Sequence, residues 1–276
     1  MAVETSGYVH MSRRAALLAL AGVPVFLAAC GSSTSGNAEQ GDGAARVVVM
    51  DSVPGGGEPA VALSPLGTRF ADGRIASVRL IGDSITAGYG CDGYGETTDV
   101  VIYDGPYGLF FESAPSVACW ANDFRAYAEA HGVTRFVNAG ISGAKLRWLA
   151  EDPDAWIGDG ADLIFVMLGT NDAAYNTADE IAGFGREAFA AVSARCSTMV
   201  VLLPLPNDRG DAQNKVNMEE VDQALAKVCD EAGYAYFSLI DALDMSDREL
   251  SADRLHPSSK GSHLVWDYIR EGLGLG

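Results

Sequence analysis

Residues 78–86 read Val78-Arg79-Leu80-Ile81-Gly82-Asp83-Ser84-Ile85-Thr86, a short apolar run that ends in a glycine and two small polar residues. An apolar run of this length followed by turn residues predicts a strand buried on both faces and then a sharp turn. Ser84 would then lie at the end of a strand, at the edge of a sheet.

Four further runs of this kind follow, separated by segments with helical spacing. The predicted strands are 78–81, 135–137, 163–168, 199–203 and 235–239, and the predicted helices are about 121–130, 145–150, 178–194, 216–232 and 261–273. This alternation predicts one α/β domain with a five-stranded parallel sheet and helices on both faces. In such sheets ligands bind at the carboxyl ends of the strands.

Three polar motifs follow predicted strands, and a fourth precedes the last predicted helix. They are Gly82-Asp83-Ser84-Ile85-Thr86, Asn138-Ala139-Gly140-Ile141-Ser142-Gly143, Gly169-Thr170-Asn171-Asp172 and Asp253-Arg254-Leu255-His256. Because parallel strands end at one edge of the sheet, the first three motifs are expected to lie side by side there.

These motifs contain the groups that ester hydrolysis by a serine requires. A serine hydroxyl is a poor nucleophile until an imidazole takes its proton, and a carboxylate on the other ring nitrogen orients that imidazole. We predict Ser84 as the nucleophile, His256 as the base and Asp253 as the orienting carboxylate. Among the four histidines, His256 alone has a carboxylate three residues upstream. The N–H groups of Ser84 and Gly140 and the side-chain amide of Asn171 are predicted to form the oxyanion hole.

In this order, the four motifs resemble those of the SGNH (GDSL-type) hydrolase family. The resemblance extends from the first predicted strand to the last predicted helix. It implies a flavodoxin-like three-layer α/β/α sandwich and ester hydrolysis that needs no cofactor and no metal. Position by position, it implies functional roles for Ser84, Gly140, Asn171 and His256, with Asp253 completing a catalytic triad.

Other reaction classes find less support. The sequence has no Gly-x-Ser-x-Gly nucleophile elbow and no phosphate-binding P-loop motif. A metal-dependent phosphoesterase could use Asp83, Asp172, Asp253 and His256. Such sites usually need more histidines than this chain offers, and its acidic charge disfavours phosphate substrates.

Net charge and the segment after the first motif bear on the substrate. The chain carries a formal charge of −18, which disfavours nucleic acid and other polyanions and favours neutral or cationic substrates. Residues 92–118 are predicted to form one wall of a substrate cleft that stacks on neutral sugars, or alternatively a self-packed surface loop. The aromatic residues of this segment include Tyr94, Tyr103, Tyr107, Phe110 and Phe111.

Taken together, these features predict a serine esterase that removes short acyl groups, acetyl above all, from glycans or small-molecule esters. A lipolytic esterase or lysophospholipase is the second interpretation. A binding lipoprotein without catalytic activity is the third, and the complete set of motifs argues against it.

Residues 1–30 predict export and a lipid anchor. Arg13 and Arg14 precede an apolar run, residues 15–29, that ends in Leu27-Ala28-Ala29-Cys30. A basic start, a short apolar core and small residues at the end are typical of a signal peptide. The ending resembles the lipobox of bacterial lipoproteins, which implies lipidation of Cys30. The alternative is a buried N-terminal helix with a chance cysteine.

Residues 31–45, rich in small and polar residues, predict a flexible tether between Cys30 and the hydrolase domain. That domain is expected to cover residues 46–276, including an N-terminal extension before the first strand. The enzyme would then lie on the extracytoplasmic face of the bacterial cell membrane, attached through its lipid anchor only.

Four cysteines remain after Cys30: Cys91, Cys119, Cys196 and Cys229. An even number in an exported protein permits two disulfides in three possible pairings. Cys91–Cys119 is the first choice because the two residues bracket one irregular segment. Four buried or free thiols are the alternative.

Overall fold

The computed structural model describes residues 66–96, 100–112, 117–209 and 213–276. The predicted signal peptide, Cys30, the tether and residues 46–65 of the extension lie outside the described residues. Within the described ranges, no helix combines the length and the hydrophobicity that crossing a bilayer requires.

The described residues form one sheet flanked by helices. Its strands are β1 (Ser77–Gly82), β2 (Val100–Gly105), β3 (Gly108–Glu112), β4 (Arg135–Gly140), β5 (Ala161–Met167), β6 (Cys196–Leu203) and β7 (Ala235–Ser238). The helices are α1 (Leu66–Ala71), α2 (Trp120–Ala130), α3 (Leu146–Glu151), α4 (Pro153–Ile157), α5 (Ala178–Ser193), α6 (Met218–Ala232) and α7 (Ser259–Gly272). All five predicted strands and all five predicted helices are present.

The sheet has the order β2-β3-β4-β1-β5-β6-β7. β4, β1, β5, β6 and β7 are parallel, and their order, counted in chain sequence, is 2-1-3-4-5. This is the flavodoxin-like order, in which the order of successive strands reverses beside β1. The predicted fold class is therefore confirmed.

The prediction of five strands is wrong, because the sheet has seven. β2 and β3 form an antiparallel hairpin closed by the pair Gly105↔Gly108, and β3 meets β4 through the pair Phe111↔Asn138. The hairpin lies within the segment whose aromatic residues suggested a cleft wall or a loop. Its pairing depends on the free edge of β4, which the local sequence does not reveal.

Helices cover both faces of the parallel sheet. Along β5, Leu163, Phe165 and Met167 pack into one core cluster with residues of α2 and α7. Ile164 and Val166 pack into a second cluster with residues of α3, α5 and α6. Because alternate side chains are buried on opposite faces, the strand is apolar throughout, as its sequence predicted.

The cysteines do not form disulfides in this structure. Cys91, Cys119, Cys196 and Cys229 are free thiols, three of them buried and Cys196 partly buried. Burial raises the pKa of Cys91 to about 12 and that of Cys119 to about 11. The structure thus agrees with the alternative of buried thiols.

Candidate active site

β1 delivers Ser84 to the carboxyl edge of the sheet. The strand ends at Gly82, where a Cβ would stand 2.0 Å from Oγ1 of Thr86, so the turn closes only over a glycine. In the turn of residues 83–90, the N–H of Tyr89 donates to the Ser84 carbonyl over 2.8 Å. Ser84 is 6% exposed, which shields its hydroxyl from most bulk water.

His256 and Asp253 reach Ser84 from the loop before α7. Ser84 Oγ lies 2.9 Å from Nε2 of His256, and Nδ1 of His256 lies 2.6 Å from Oδ2 of Asp253. Oδ1 of Asp253 accepts the backbone N–H groups of His256 (2.7 Å) and Leu255 (3.0 Å). These bonds close a tight turn, in which Arg254 has a left-handed backbone with a φ of 65°. The structure therefore brings together the three residues predicted as a triad.

The carboxylate of Asp253 determines which atom donates in each of these hydrogen bonds. An ionised Asp253 can only accept, so Nδ1 of a neutral His256 carries the proton and donates it. Nε2 then has a free lone pair and accepts from the Ser84 hydroxyl. This is the tautomer that a general base next to a serine needs.

The pKa values of His256 and Asp253 both lie below their usual values. Burial lowers the pKa of His256 below its usual 6.5; the hydrogen bond and charge of Asp253 oppose this effect, and the charge of Arg209 adds to it. Burial acts to raise the pKa of Asp253, but the hydrogen bonds from His256 and Leu255 outweigh it and lower the pKa overall. At neutral pH His256 is therefore neutral and Asp253 ionised.

Asn171 follows β5 and lies on the other side of the nucleophile turn. Its Nδ2 donates to the carbonyl of Ala144 over 3.0 Å and approaches Oδ2 of Asp83 at 3.5 Å. The second contact is at the limit of a hydrogen bond, so the amide hydrogen that makes it is held only weakly by Asp83.

Gly140 does not fit its predicted role in the oxyanion hole. Its N–H donates to Oδ1 of Asn138 over 2.8 Å, and a Cβ on Gly140 would stand 2.6 Å from the backbone nitrogen of Ala87. Gly140 thus allows β4 to pack closely against the nucleophile turn, and its N–H is already bonded. Gly143 has a φ of +82°, and a Cβ there would meet nothing within 4 Å, so it lies on the open side of the following turn.

Two buried carboxyl groups support the site from behind. Asp83 accepts the N–H of Ile85 over 2.9 Å, and Asp172 accepts the N–H of Leu146, the first residue of α3, over 2.9 Å. Burial raises the pKa of Asp83 to about 7 and that of Asp172 to about 6, although hydrogen bonds, from Thr170 to Asp83 among them, oppose the effect. Both residues hold neighbouring segments in place.

The alternative metal set is not assembled. Asp253 bonds to His256, whereas Asp83 and Asp172 are buried beneath Asn171. In the part of the chain that the structure describes, no three His, Cys, Asp or Glu side chains converge on a point where a cation could bind.

The aromatic residues after Ser84 divide into two groups. Phe110 is fully buried, and Tyr103 stacks on it with ring centroids 4.4 Å apart, so both belong to the hairpin's own packing. Tyr94 instead reaches the site, where its hydroxyl lies 3.2 Å from Oγ of Ser142. The hairpin rings thus agree with the alternative of a self-packed segment, whereas Tyr94 lies where a wall of a substrate cleft was predicted.

Sequence reasoning missed Tyr89 and Gly90. The Tyr89 ring is 41% exposed, 4.5 Å from the ring centroid of His256 and 5.2 Å from that of Tyr94. A Cβ on Gly90, whose φ is +92°, would stand 3.1 Å from Cβ of His256. Their place only a few residues after Ser84 is the signal that could have indicated them.

The site thus combines a serine with an imidazole and a carboxylate, and it lies at the carboxyl edge of a flavodoxin-like sheet. This combination of fold and site is typical of a class of serine hydrolases. The sequence matches the model of the GDSL-like Lipase/Acylhydrolase family over residues 80–264. The chain belongs to this family and is a carboxylic ester hydrolase, which confirms the family resemblance of its motifs.

Solved structures share the fold. An acetylxylan esterase from Geobacillus stearothermophilus is 19% identical, with a TM-score of 0.55, over 72% of this chain and 94% of that chain. A lipase/acylhydrolase from Enterococcus faecalis is 20% identical, with a TM-score of 0.54, over 72% and 96%. LAE5, an alpha/beta hydrolase enzyme from the metagenome of Lake Arreo, Spain, is 21% identical, with a TM-score of 0.54, over 72% and 95%. No curated protein matches the chain in sequence.

Proposed function

We propose that this chain is a serine esterase with Ser84 as nucleophile, His256 as general base and Asp253 as orienting carboxylate. The observation that carries the proposal is the continuous series of contacts from Ser84 Oγ to His256 Nε2 (2.9 Å) and from His256 Nδ1 to Asp253 Oδ2 (2.6 Å). A hydroxyl that donates to an imidazole oriented by a carboxylate is activated for attack on an ester carbonyl.

Hydrolysis then proceeds in two acyl-transfer steps. Ser84 Oγ attacks the carbonyl carbon while its proton moves to Nε2 of His256. The bond to the alcohol breaks as the imidazolium gives that proton to the leaving oxygen. Water next attacks the carbonyl carbon of the acyl-serine while one of its protons moves to His256. The bond from this carbon to Ser84 Oγ breaks as the imidazolium returns the proton to Oγ, which releases the acid and restores the Ser84 hydroxyl. Asp253 stays ionised and stabilises the imidazolium.

The negative charge of each tetrahedral intermediate needs hydrogen-bond donors. We assign this role to the N–H groups of Ser84 and Gly143 and to the amide hydrogen of Asn171 that contacts Asp83 only weakly. Within the described residues, neither of these two N–H groups has an acceptor. Ala144, the next residue after Gly143, accepts from Asn171, so the turn and the amide lie together.

The proposed substrates are glycans or small esters that carry short acyl groups, acetyl above all. Tyr89 and Tyr94 beside His256 offer rigid apolar ring faces with polar edges, which suit the faces of sugar rings. An acetylxylan esterase has the same fold, which supports this substrate class. Esters of long-chain acids are the second candidate, because the family includes lipases.

The proposed location is the extracytoplasmic face of the bacterial membrane, with lipid attached to Cys30. The basic residues before an apolar run of 15 residues and the Leu27-Ala28-Ala29-Cys30 ending support it. Two attached acyl chains suffice for stable anchoring. Residues 31–45 would give the hydrolase domain reach from the membrane, and residues 46–276 would form that domain.

Activity toward 4-nitrophenyl esters tests the catalytic proposal. Wild type should hydrolyse the acetate far faster than the palmitate, and Ser84→Ala should abolish hydrolysis. Ser197→Ala is the matched control, because Ser197 is exposed at the amino end of β6, on the opposite edge of the sheet. Full activity in Ser84→Ala contradicts the mechanism, a preference for palmitate favours the lipolytic candidate, and inertness toward both esters favours a binding protein.

Membrane attachment is tested separately. Wild type expressed in bacteria should fractionate with the membrane and incorporate labelled fatty acid, and Cys30→Ala should do neither. Cys196→Ala, which removes a thiol within the hydrolase domain, should behave as wild type. Equal labelling of the wild type and Cys30→Ala contradicts the proposed anchor.

A further inference from the structure

Four cationic residues lie on the segments that form or contact the site of this strongly acidic chain. They form the cationic rim, defined as Lys145, Arg209, Lys215 and Arg254. Lys215 pairs with Glu180 at 3.6 Å and Arg254 with Asp208 at 3.5 Å, so their charges are partly neutralised. Among residues 66–96, 100–112, 117–209 and 213–276, Lys145 and Arg209 have no carboxylate within salt-bridge distance.

Lys145 lies beside the amide of Asn171. It follows Ala144, whose carbonyl accepts from Asn171, and its ammonium stands 4.0 Å from the ring centroid of Tyr175. The Tyr175 ring is 65% exposed, so the ammonium is held over an aromatic face at the surface rather than buried. Its charge opposes the effect of burial, which raises the pKa of the fully buried Asp172.

Arg209 lies on the opposite side, beside the triad. The N–H of Asp208 donates to the carbonyl of Arg254 over 3.0 Å, which joins this loop to the Asp253–His256 turn. The side chain of Arg209 is exposed, and its positive charge acts on His256.

The segment that carries Arg209 is described up to that residue and again from residue 213. Beyond it, Asn214 Nδ2 donates to Oδ1 of Asn207 over 3.2 Å, and the N–H of Lys215 donates to the carbonyl of Ala173 over 2.7 Å. Asp208 thus contacts the triad turn, and Lys215 contacts the segment that follows Asn171. Among the described residues, one cation without a carboxylate partner therefore lies on the segment beside the triad turn, and one lies on the segment beside Asn171.

We propose that the site selects esters on anionic sugars, namely acylated uronic acid residues, whose carboxylates bind Arg209 and Lys145. This inference rests on the proposed function and specifies its substrate class. A chain with a net charge of −18 repels a polyanion at a distance, and cations beside the site would offset this repulsion for an anionic substrate. The net charge of the whole chain favours a neutral or cationic substrate, whereas the cations on the segments beside the site favour an anionic one.

Arg and Lys would act differently on such a substrate. The planar guanidinium of Arg209 can bind a carboxylate through two parallel hydrogen bonds, whereas the ammonium of Lys145 acts as a point charge. Exposed charge pairs contribute a few-fold each, and partly desolvated ones contribute more. We therefore expect a preference of about tenfold for the anionic sugar, divided between the two cations.

The test compares two sugars that differ only in the carboxylate. Acetate release by the full chain in detergent is measured with acetylated methyl glucuronoside and with the equally acetylated methyl glucoside. Wild type should prefer the glucuronoside by about tenfold in kcat/KM at low salt, and high salt should reduce this ratio. Arg209→Ala and Lys145→Ala should each lower the ratio, and Arg209→Lys should retain part of it.

Lys227→Ala is the matched control, since it removes one exposed positive charge on α6 without touching the site. Its ratio should equal that of the wild type. Equal rates for the two sugars, or an unchanged ratio in the double variant Arg209→Ala/Lys145→Ala, would overturn the inference. A higher kcat/KM for lysophosphatidylglycerol than for the glucuronoside would also overturn it.

Failure of the proposed function gives a different result. If Ser84→Ala retains activity, the catalytic proposal is wrong whatever the sugar preference. If Ser84→Ala is inactive and wild type treats both sugars alike, only the inference about anionic substrates is wrong.

Discussion

Gly90 lies directly against His256: a Cβ on Gly90 would stand 3.1 Å from Cβ of His256 and 3.1 Å from the carbonyl oxygen of Pro257. The turn after the nucleophile therefore touches the backbone that carries the base. Gly90 also has a φ of +92°, which favours glycine. These two features together fix how closely the base approaches Ser84.

Gly90→Ala should therefore lower activity by displacing His256. Contacts of 3.1 Å require these neighbours to move by a few tenths of an ångström. Because a misplacement of about 1 Å can cost about 100-fold, we expect kcat/KM to fall by about 3- to 10-fold. Gly95→Ala is the matched control, because Gly95 has a φ of +85° but nothing within 4 Å of its Cβ position. Both variants carry similar backbone strain, so thermal melting should show a loss of stability in each, larger in Gly90→Ala because of its two close contacts. Equal kcat/KM for the two would contradict a positioning role.

The pH dependence of kcat/KM should report the environment of His256. Only the neutral imidazole can accept the Ser84 proton, so activity rises with pH through the pKa of His256, which lies below its usual 6.5. Asp253→Asn removes a group that raises this pKa and should shift the rising limb to lower pH, with about a 10²–10⁴-fold loss of rate. Arg209→Ala removes a group that lowers the pKa and should shift the limb to higher pH.

If Asp253→Asn and Arg209→Ala shift the rising limb in the same direction, this assignment of charges around His256 is contradicted. Arg186→Ala is a suitable control for the arginine variant, because Arg186 pairs with Glu231 on α6. Its pH profile should match that of the wild type.

Asn171→Ala should lower kcat more than it changes KM. An oxyanion donor acts mainly in the transition state, and removal of one donor typically costs about 10²–10³ in kcat. Asn176→Ala changes the same residue type a few positions later, where the structure shows no side-chain hydrogen bond among the described residues. Steady-state kinetics of both variants with 4-nitrophenyl acetate make the comparison. A large rise in KM with unchanged kcat would indicate a ground-state binding role instead.

Asp83 should make the stability of the protein depend on pH. Because burial raises its pKa to about 7, the folded state holds its proton more strongly than the unfolded state does. This contribution is complete below about pH 4 and is lost as pH rises through about 7, by an amount on the order of a few kcal/mol at most. Asp83→Asn cannot ionise, so its unfolding free energy should change less between pH 5 and pH 7.5.

Urea denaturation at the two pH values measures this difference. Asp72→Asn is the control, because Asp72 is exposed just after α1, and it should retain the wild-type dependence. An identical pH dependence in Asp83→Asn and wild type would show that Asp83 does not titrate in this range.

The sequence by itself determined the five parallel strands and the helices between them. A strand buried on both faces must be apolar throughout, and a helix with one buried face must repeat its apolar residues, so both leave a local signal. The contact between Ser84 and His256, 172 positions apart, was also predictable. Parallel strands end at one edge of the sheet, and the two motifs have complementary chemistry.

Only the tertiary structure decided which polar groups are free to act. Gly140 and Gly143 lie in one motif, but the N–H of Gly140 bonds to Asn138, which leaves Gly143 as the open donor. Likewise, the hairpin of β2 and β3 buries Phe110 and leaves Tyr94 at the site. Hydrogen-bond partners and burial depend on segments distant in sequence, so a motif can identify the chemistry of a residue but not whether its groups remain unpaired.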